Sequence, residues 1–186
     1  MSNYRIWKLF ALSLPIVALI GCGPAEQPAE EQPADQVAEP VEITATAELS
    51  PTEGNTVAGT ITFTEDMGAV HVAYHVTGLA AGNHGFHIHE TGDCSAPDGT
   101  SAGGHFNPDG TAHGAPDAAE HHIGDLGNIE ADEDGMAMGD ANATSLTFEG
   151  DNSFVGKAVI VHGGEDDLTT QPTGNAGPRL ACGVIQ

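Results

Sequence analysis

The sequence predicts an all-β domain, either a Greek-key sandwich or a flattened barrel. Three observations support this. Apolar residues recur with a period of two from residue 41 onward. Clusters of Gly, Pro, Asn and Asp separate the runs. No stretch after residue 22 sustains a helical period. Many short strands with frequent turns suit sheet-on-sheet or barrel packing.

The first strand is VEITATAEL (41–49), where Val41, Ile43, Ala45, Ala47 and Leu49 form one apolar face. The turn PTEGN follows. In TVAGTITF (56–63), Val57, Ile61 and Phe63 oppose Thr56, Thr60 and Thr62. After TEDMG, the run AVHVAYHV (69–76) puts Val70, Val72, Tyr74 and Val76 on one face. Each is the alternation of a half-buried strand. Further strands are expected at 84–90, 127–132, 136–140, 143–149, 155–162 and 180–185. Residues 101–125, SAGGHFNPDGTAHGAPDAAEHHIGD, are different. Gly and Pro punctuate them throughout, which excludes a helix or a central strand. So polar a loop has no core of its own, and metal ligation is one way to order it.

Three segments organise the chain. Residues 1–22, MSNYRIWKLFALSLPIVALIGC, carry Arg5 and Lys8 ahead of a short apolar run, Leu9 to Ile20. That run is short for a bilayer span and fits a signal peptide. Its end, LIGC, resembles a bacterial lipobox, in which Cys22 would be lipidated; cleavage at a nearby small residue would instead leave a soluble exported protein. Residues 23–40, GPAEQPAEEQPADQVAEP, have too little apolar content to pack and read as an extended acidic linker. The folded domain is expected at 41–186. Export makes an oxidising setting, so the remaining cysteines, Cys94 and Cys182, are expected to form a disulfide. They lie 88 residues apart.

Once the signal is removed, only Lys157 and Arg179 stand against 27 acidic residues, a formal net charge of −25. Charge-driven binding to nucleic acid or to an anionic lipid surface is excluded, so any membrane contact would be through the lipid anchor.

Ten histidines sort by position. His71 and His75 fall on the polar face of their strand and read as surface residues. His84 reads as a buried, hydrogen-bonded residue just before a strand. His87 and His89 are two apart in GFHIHETGDC, so both rings leave one face and can converge on a metal. In the glycine-rich loop, His105, His113, His122 and Asp125 offer three imidazoles and a carboxylate, a full tetrahedral set for a structural zinc. Spacing alone does not separate His121 from His122.

The blocks GFHIHETGDC, SAGGHFNPDGTAHGAP, HHIGDLGNI, VIVHGGEDDL and TGNAGPRLACGVI closely resemble, in order, those of the copper/zinc superoxide dismutases. The resemblance runs from about residue 41 to 186. It implies an eight-stranded Greek-key β-barrel with two long loops, one metal-binding and one electrostatic. It further implies copper ligands at His87, His89, His105 and His162, and zinc ligands at His105, His113, His122 and Asp125. His105 would serve both metals. Asp166 would link a copper histidine to a zinc histidine, Cys94 and Cys182 would be the family disulfide, and Arg179 would stand beside the copper. The HxGD pattern selects His122, leaving His121 as an exposed neighbour.

The implied function is dismutation of superoxide with copper and zinc ions as cofactors, with His105 and Arg179 as catalytic residues, in the periplasm or elsewhere in the cell envelope. Many family members carry lysines in the loop matching GGEDDLTTQPTGNAG; this chain has none there, so long-range steering of the anion is expected to be weak. Family members occur as monomers and as homodimers, and no patch in this sequence decides between them. A metal-storage or metal-delivery protein and a copper-only enzyme are the competing readings. The complete zinc set argues against the second, and Arg179 beside a full copper set argues against a dead homologue; a metal-transfer protein would instead lose copper readily to chelators and show little dismutation.

Overall fold

A computed structural model describes residues 42–186. The signal peptide, Cys22, the linker and Val41 lie outside the described residues. Eight strands form one antiparallel array in the order β5-β4-β7-β8-β1-β2-β3-β6. They are β1 (Thr44–Pro51), β2 (Ala58–Asp66), β3 (Ala69–Thr77), β4 (Gly82–His89), β5 (Asp125–Ala131), β6 (Met136–Ala143), β7 (Ala158–His162) and β8 (Arg179–Val184). The two end strands, β5 and β6, lie in contact and are joined by a short turn, so the array is a nearly closed barrel.

The alternation seen in the sequence sets which face is buried. Ala45, Ala47 and Leu49 of β1 point inward, with Ala45 opposite Phe63 and Ala47 opposite Ile61 of β2. Val70, Val72 and Val76 do the same on β3. Phe63, Phe148 and Phe154 stack at one place in this core, with ring centroids 4.7 and 4.9 Å apart. Burying each such side chain stabilises the fold by about 1.5–3 kcal/mol. The β2–β3 hairpin closes through Met67 and Gly68, both at positive φ, as a two-residue turn requires.

β4 and β7 are buried on both faces. Phe86 and Ile88, with Val159 and Val161, face the barrel core. Ala158 and Ile160 face outward, into a second small cluster with Ala102, Cys182 and the half-buried Cys94. Cys94 and Cys182 are disulfide-bonded. The outer face of this wall is where His87, His89 and His162 emerge, beneath the long loops.

Several expectations need correction. Residues 143–149 form no strand beyond the end of β6; apart from a Thr147–Ser153 bridge they turn, through Gly150 at positive φ. β7 starts at Ala158 rather than 155, because Gly156, also at positive φ, interrupts the extended run. Ile43 is 48% exposed, so the inward face begins at Ala45. His84 lies inside β4, where it is buried as expected. The glycine-rich loop opens on one 3₁₀ turn, Thr100–Ala102, and sends Phe106 and Ile123 into the core. It is therefore anchored by apolar contacts as well as by its polar groups.

Candidate metal centre

Strand geometry delivers the first cluster. His87 and His89 leave the same face of β4, His162 ends the neighbouring β7, and His105 reaches them from the glycine-rich loop, which bridges to β4 at His89. All four are buried, and one ring nitrogen of each lies within 4.8 Å of the others. The second nitrogen of each strand histidine is engaged elsewhere. His87 Nε2 donates to Asp166 Oδ2 at 2.7 Å, His89 Nδ1 to the Gly103 carbonyl at 3.0 Å, and His162 Nδ1 to the Gly177 carbonyl at 3.2 Å. These bonds fix the rings so that His87 Nδ1, His89 Nε2 and His162 Nε2 face inward.

The second cluster is His105, His113, His122 and Asp125, again buried and within 4.8 Å of one another. Asp125 is its hub. Its carboxylate lies 2.7 Å from His105 Nδ1, 3.0 Å from His113 Nδ1 and 3.2 Å from His122 Nδ1. It also accepts the backbone N–H groups of Gly114 and His122, at 3.1 and 2.8 Å. Burial by itself would raise this carboxyl. The bonds from His105 and from the His122 and Gly114 amides outweigh it and hold Asp125 well below the usual carboxylate range.

Both clusters fit a cation. Among the described residues, His87 Nδ1, His105 Nε2 and His113 Nδ1 are buried and make no hydrogen bond. His113 Nδ1 is near Asp125 but not aligned to donate to it. His105 Nδ1 and His122 Nδ1 approach to 3.4 Å, as do His89 Nε2 and His162 Nε2. Zinc–nitrogen bonds of 2.0–2.1 Å give tetrahedral edges of roughly 3.3–3.4 Å, which the 3.4 Å between His105 Nδ1 and His122 Nδ1 matches, while the carboxylate contacts of Asp125 are shorter. Burial lowers His87 to about 4 and His162 to about 3, and pushes His89 well below its ordinary value. Neutral imidazoles with free lone pairs are what a metal requires.

Asp166 joins the two clusters. Its Oδ2 accepts from His87 Nε2, and its Oδ1 accepts from His113 Nε2 at 2.9 Å. Asn128 holds it in place through two bonds to the Asp166 main chain, 2.8 and 2.9 Å. Gly174, at φ 66°, packs directly on Asp166 Oδ1; a Cβ there would also come within 2.6 Å of His113 Nε2.

Arg179 opens β8. Its Nη1 and Nη2 donate to the Gly99 and Gly103 carbonyls, each at 2.6 Å. Gly103 therefore fixes both Arg179 and His89. The disulfide braces this same loop. A cleft of about 400 Å³ lies beside Arg179, and Glu53 and Asp98 also line it.

A family model described as copper/zinc superoxide dismutase matches residues 57–185. The chain belongs to the copper/zinc superoxide dismutase family. A relative named superoxide dismutase [Cu-Zn], from Yarrowia lipolytica, is 49% identical over 138 residues, covering 69% of this chain and 89% of the relative. The extracellular superoxide dismutase [Cu-Zn] of Caenorhabditis elegans is 45% identical over 141 residues, 73% of this chain and 62% of that protein. The crystal structure of the clock protein EA4 matches with a TM-score of 0.70 at 43% identity, covering 76% of this chain and 92% of that one.

A copper/zinc superoxide dismutase is an oxidoreductase that converts superoxide into dioxygen and hydrogen peroxide, and the two buried clusters form its copper and zinc sites. Among the residues singled out from sequence, the structure brings His87, His89, His105, His113, His122, His162, Asp125 and Asp166 together. His121 departs from expectation. It is half-buried, with Nδ1 on the Ala118 carbonyl at 2.9 Å and Nε2 3.3 Å from Ser145 Oγ. It turns away from the metal cluster and pins the loop instead. Sequence reasoning missed the carbonyls of Gly99 and Gly103, the Asn128 brace and the Gln171 side chain. The glycines are visible in the sequence, but nothing in it marks their carbonyls as acceptors.

Proposed function

We propose that His87, His89, His105 and His162 are the copper ligands, and that His105, His113, His122 and Asp125 are the zinc ligands. The observation that carries this reading is His105, whose Nε2 belongs to one buried cluster and whose Nδ1 belongs to the other. Copper supplies one-electron redox chemistry that alternates between oxidising one superoxide and reducing the next. Two superoxides and two protons yield one O₂ and one H₂O₂.

In this reading, the chain does three things. Arg179 offers a fixed positive charge to the incoming anion, and its guanidinium is held at Gly99 and Gly103 so that it need not reorganise. His105 Nε2 accepts a proton in one half of the cycle and gives it up in the other, while Nδ1 stays anchored on the Asp125 side. Asp166 keeps His87 and His113 in the tautomers that present Nδ1.

The test is metal analysis and a dismutation assay on the mature protein and on His162→Ala. The variant is expected to keep zinc and lose activity by more than the roughly 100-fold typical of a lost supporting partner. Full activity in His162→Ala would refute the copper assignment.

The first 22 residues serve as a lipoprotein signal peptide with lipidation at Cys22, residues 23–40 as a spacer, and residues 41–186 as the enzyme. The domain then works outside the cytoplasm, in the periplasm at the cell envelope, protecting it from superoxide. The apolar run ending in LIGC, the disulfide and a relative named as extracellular support this. Incorporation of labelled fatty acid, abolished in Cys22→Ser, checks it; an unlabelled wild-type protein sinks the anchor.

A further inference from the structure

His113 is gripped from a distance by one short segment of the loop that follows β7. The Gln171 side chain meets the His113 main chain at two points. Its Oε1 accepts the His113 N–H at 2.8 Å, and its Nε2 donates to the His113 carbonyl at 2.8 Å. From the same segment, Asp166 Oδ1 accepts from His113 Nε2 at 2.9 Å. Two loops 58 residues apart in sequence are thus joined at both the backbone and the ring of one residue.

The segment is built to present Gln171. Asp167 Oδ1 accepts the amides of Thr169 and Thr170 at 3.0 and 2.7 Å, and Oδ2 accepts the Thr170 hydroxyl at 2.6 Å. Leu168 takes positive φ to make the turn. Gly174 donates to the Thr170 carbonyl at 2.7 Å, and its carbonyl accepts from Asp167 at 2.9 Å, closing the segment on itself. Gln171 Nε2 makes a further bond to the Thr169 carbonyl at 3.2 Å. The amide is therefore held on its own loop before it reaches across.

We infer that Gln171 is a positioning residue for zinc: its side-chain amide clamps the His113 main chain and sets where His113 Nδ1 stands relative to Asp125. This rests on the reading that His113 ligates zinc. Gln171 meets this zinc-side residue through its main chain rather than its ring, so its effect is on zinc retention rather than on redox chemistry. Methionine is the informative replacement, since it keeps the length and most of the volume while removing both hydrogen bonds.

The test follows zinc release from the copper- and zinc-loaded full-length protein into an excess of a chromophoric zinc chelator at neutral pH. Copper content is measured in parallel. Gln171→Met and Gln171→Ala are both expected to release zinc about 10–100-fold faster than wild type, the usual range for a lost outer-shell partner. Gln171→Glu keeps the acceptor but sets a carboxylate against the His113 carbonyl, and is expected to be no better than alanine. Copper content should be unchanged in all three. Wild-type zinc release from Gln171→Met overturns the clamp, even if Gln171→Ala folds poorly. His113→Ala separates the two readings. If it keeps zinc like wild type, the ligand assignment fails and the clamp with it. If it loses zinc while Gln171→Met does not, only the clamp fails.

Discussion

The two clusters, copper-side and zinc-side in the assignment proposed above, rest on different supports. Three of the four copper-side histidines stand on or at the end of β4 and β7, the strands buried on both faces. Two of them spend their second nitrogen on backbone carbonyls. The zinc-side residues come from the loop between β4 and β5, and Asp125 sits at its end, where β5 begins. Their mutual contacts through Asp125 hold that loop together, alongside Phe106 and Ile123 in the core. One cluster is placed by the barrel; the other shapes the chain that carries it. Accordingly, loss of metal should disturb the zinc side far more than the copper side.

The strongest way to break that contrast is His105→Ala, which removes the one ring common to both. Activity should fall by more than about 100-fold, and zinc binding should weaken with it. His89→Ala should lose comparable activity but keep zinc. Wild-type zinc affinity in His105→Ala would show that the two clusters do not share a ligand.

Next in size is the disulfide. Cys94→Ser with Cys182→Ser removes a link across 88 residues. The expected loss is about 4–5 kcal/mol, read by denaturant titration. It also frees the loop bearing Gly99 and Gly103, so Arg179 and His89 should loosen while zinc retention holds. Equal loosening of both sides, followed by hydrogen exchange, would remove the contrast.

Acid should act on the copper side of the metal-free protein. Burial holds His87 at about 4 in the folded state, below its ordinary 6.5. Between those values the unfolded chain binds the extra proton, so stability is full above about pH 6.5 and falls as pH drops towards 4. The drop is about 3 kcal/mol for this group alone. Denaturation of the metal-free protein at pH 7 and pH 4.5 measures it; equal midpoints would contradict a neutral, buried His87.

Asp166→Asn is a finer probe, because Asp166 accepts one bond from each side. Metal affinity should fall about 10–100-fold, most at zinc, where the loop has less barrel support. A purely copper-side effect would reverse the assignment of the weaker cluster.

The smallest effect expected is that of salt on rate. Residues 23–186 carry two cations against 27 acids, and Glu53 and Asp98 line the cleft by Arg179. Long-range steering of an anion should be weak, so raising ionic strength should change the rate little. A steep fall with added salt would show that local focusing by the metals and Arg179 dominates over the overall charge. The Lys157 ammonium lies 4.6 Å over the Phe106 ring.

One pair of the metal centre was legible from strand periodicity, and His162, the sharing of His105 and the role of Asp166 only from the likeness to known blocks. Two residues apart means one face, so His87 and His89 converge whatever surrounds them. Ala45, Ala47, Val72 and Phe63 face inward for the same reason. The loop was legible only as a ligand set, from its three imidazoles and a carboxylate, with His122 chosen over His121 through its likeness to known blocks. How it is held was not: Phe106 and Ile123 entering the core, and His121 pinned on Ala118 and Ser145, depend on what lies nearby in space.

The sequence by itself therefore determined the alternating strands and the residue types able to ligate metal, because these depend on neighbours along the chain, while the acidic balance and the pairing of the two remaining cysteines followed from counting alone. The tertiary structure decided that Gly103 serves both His89 and Arg179, that Asp166 spans two rings and that Gln171 clamps His113. Those contacts join residues 14 to 79 apart, brought together only when the barrel wraps and the loops fold over its outer wall. No local pattern encodes which carbonyl or amide will be waiting there.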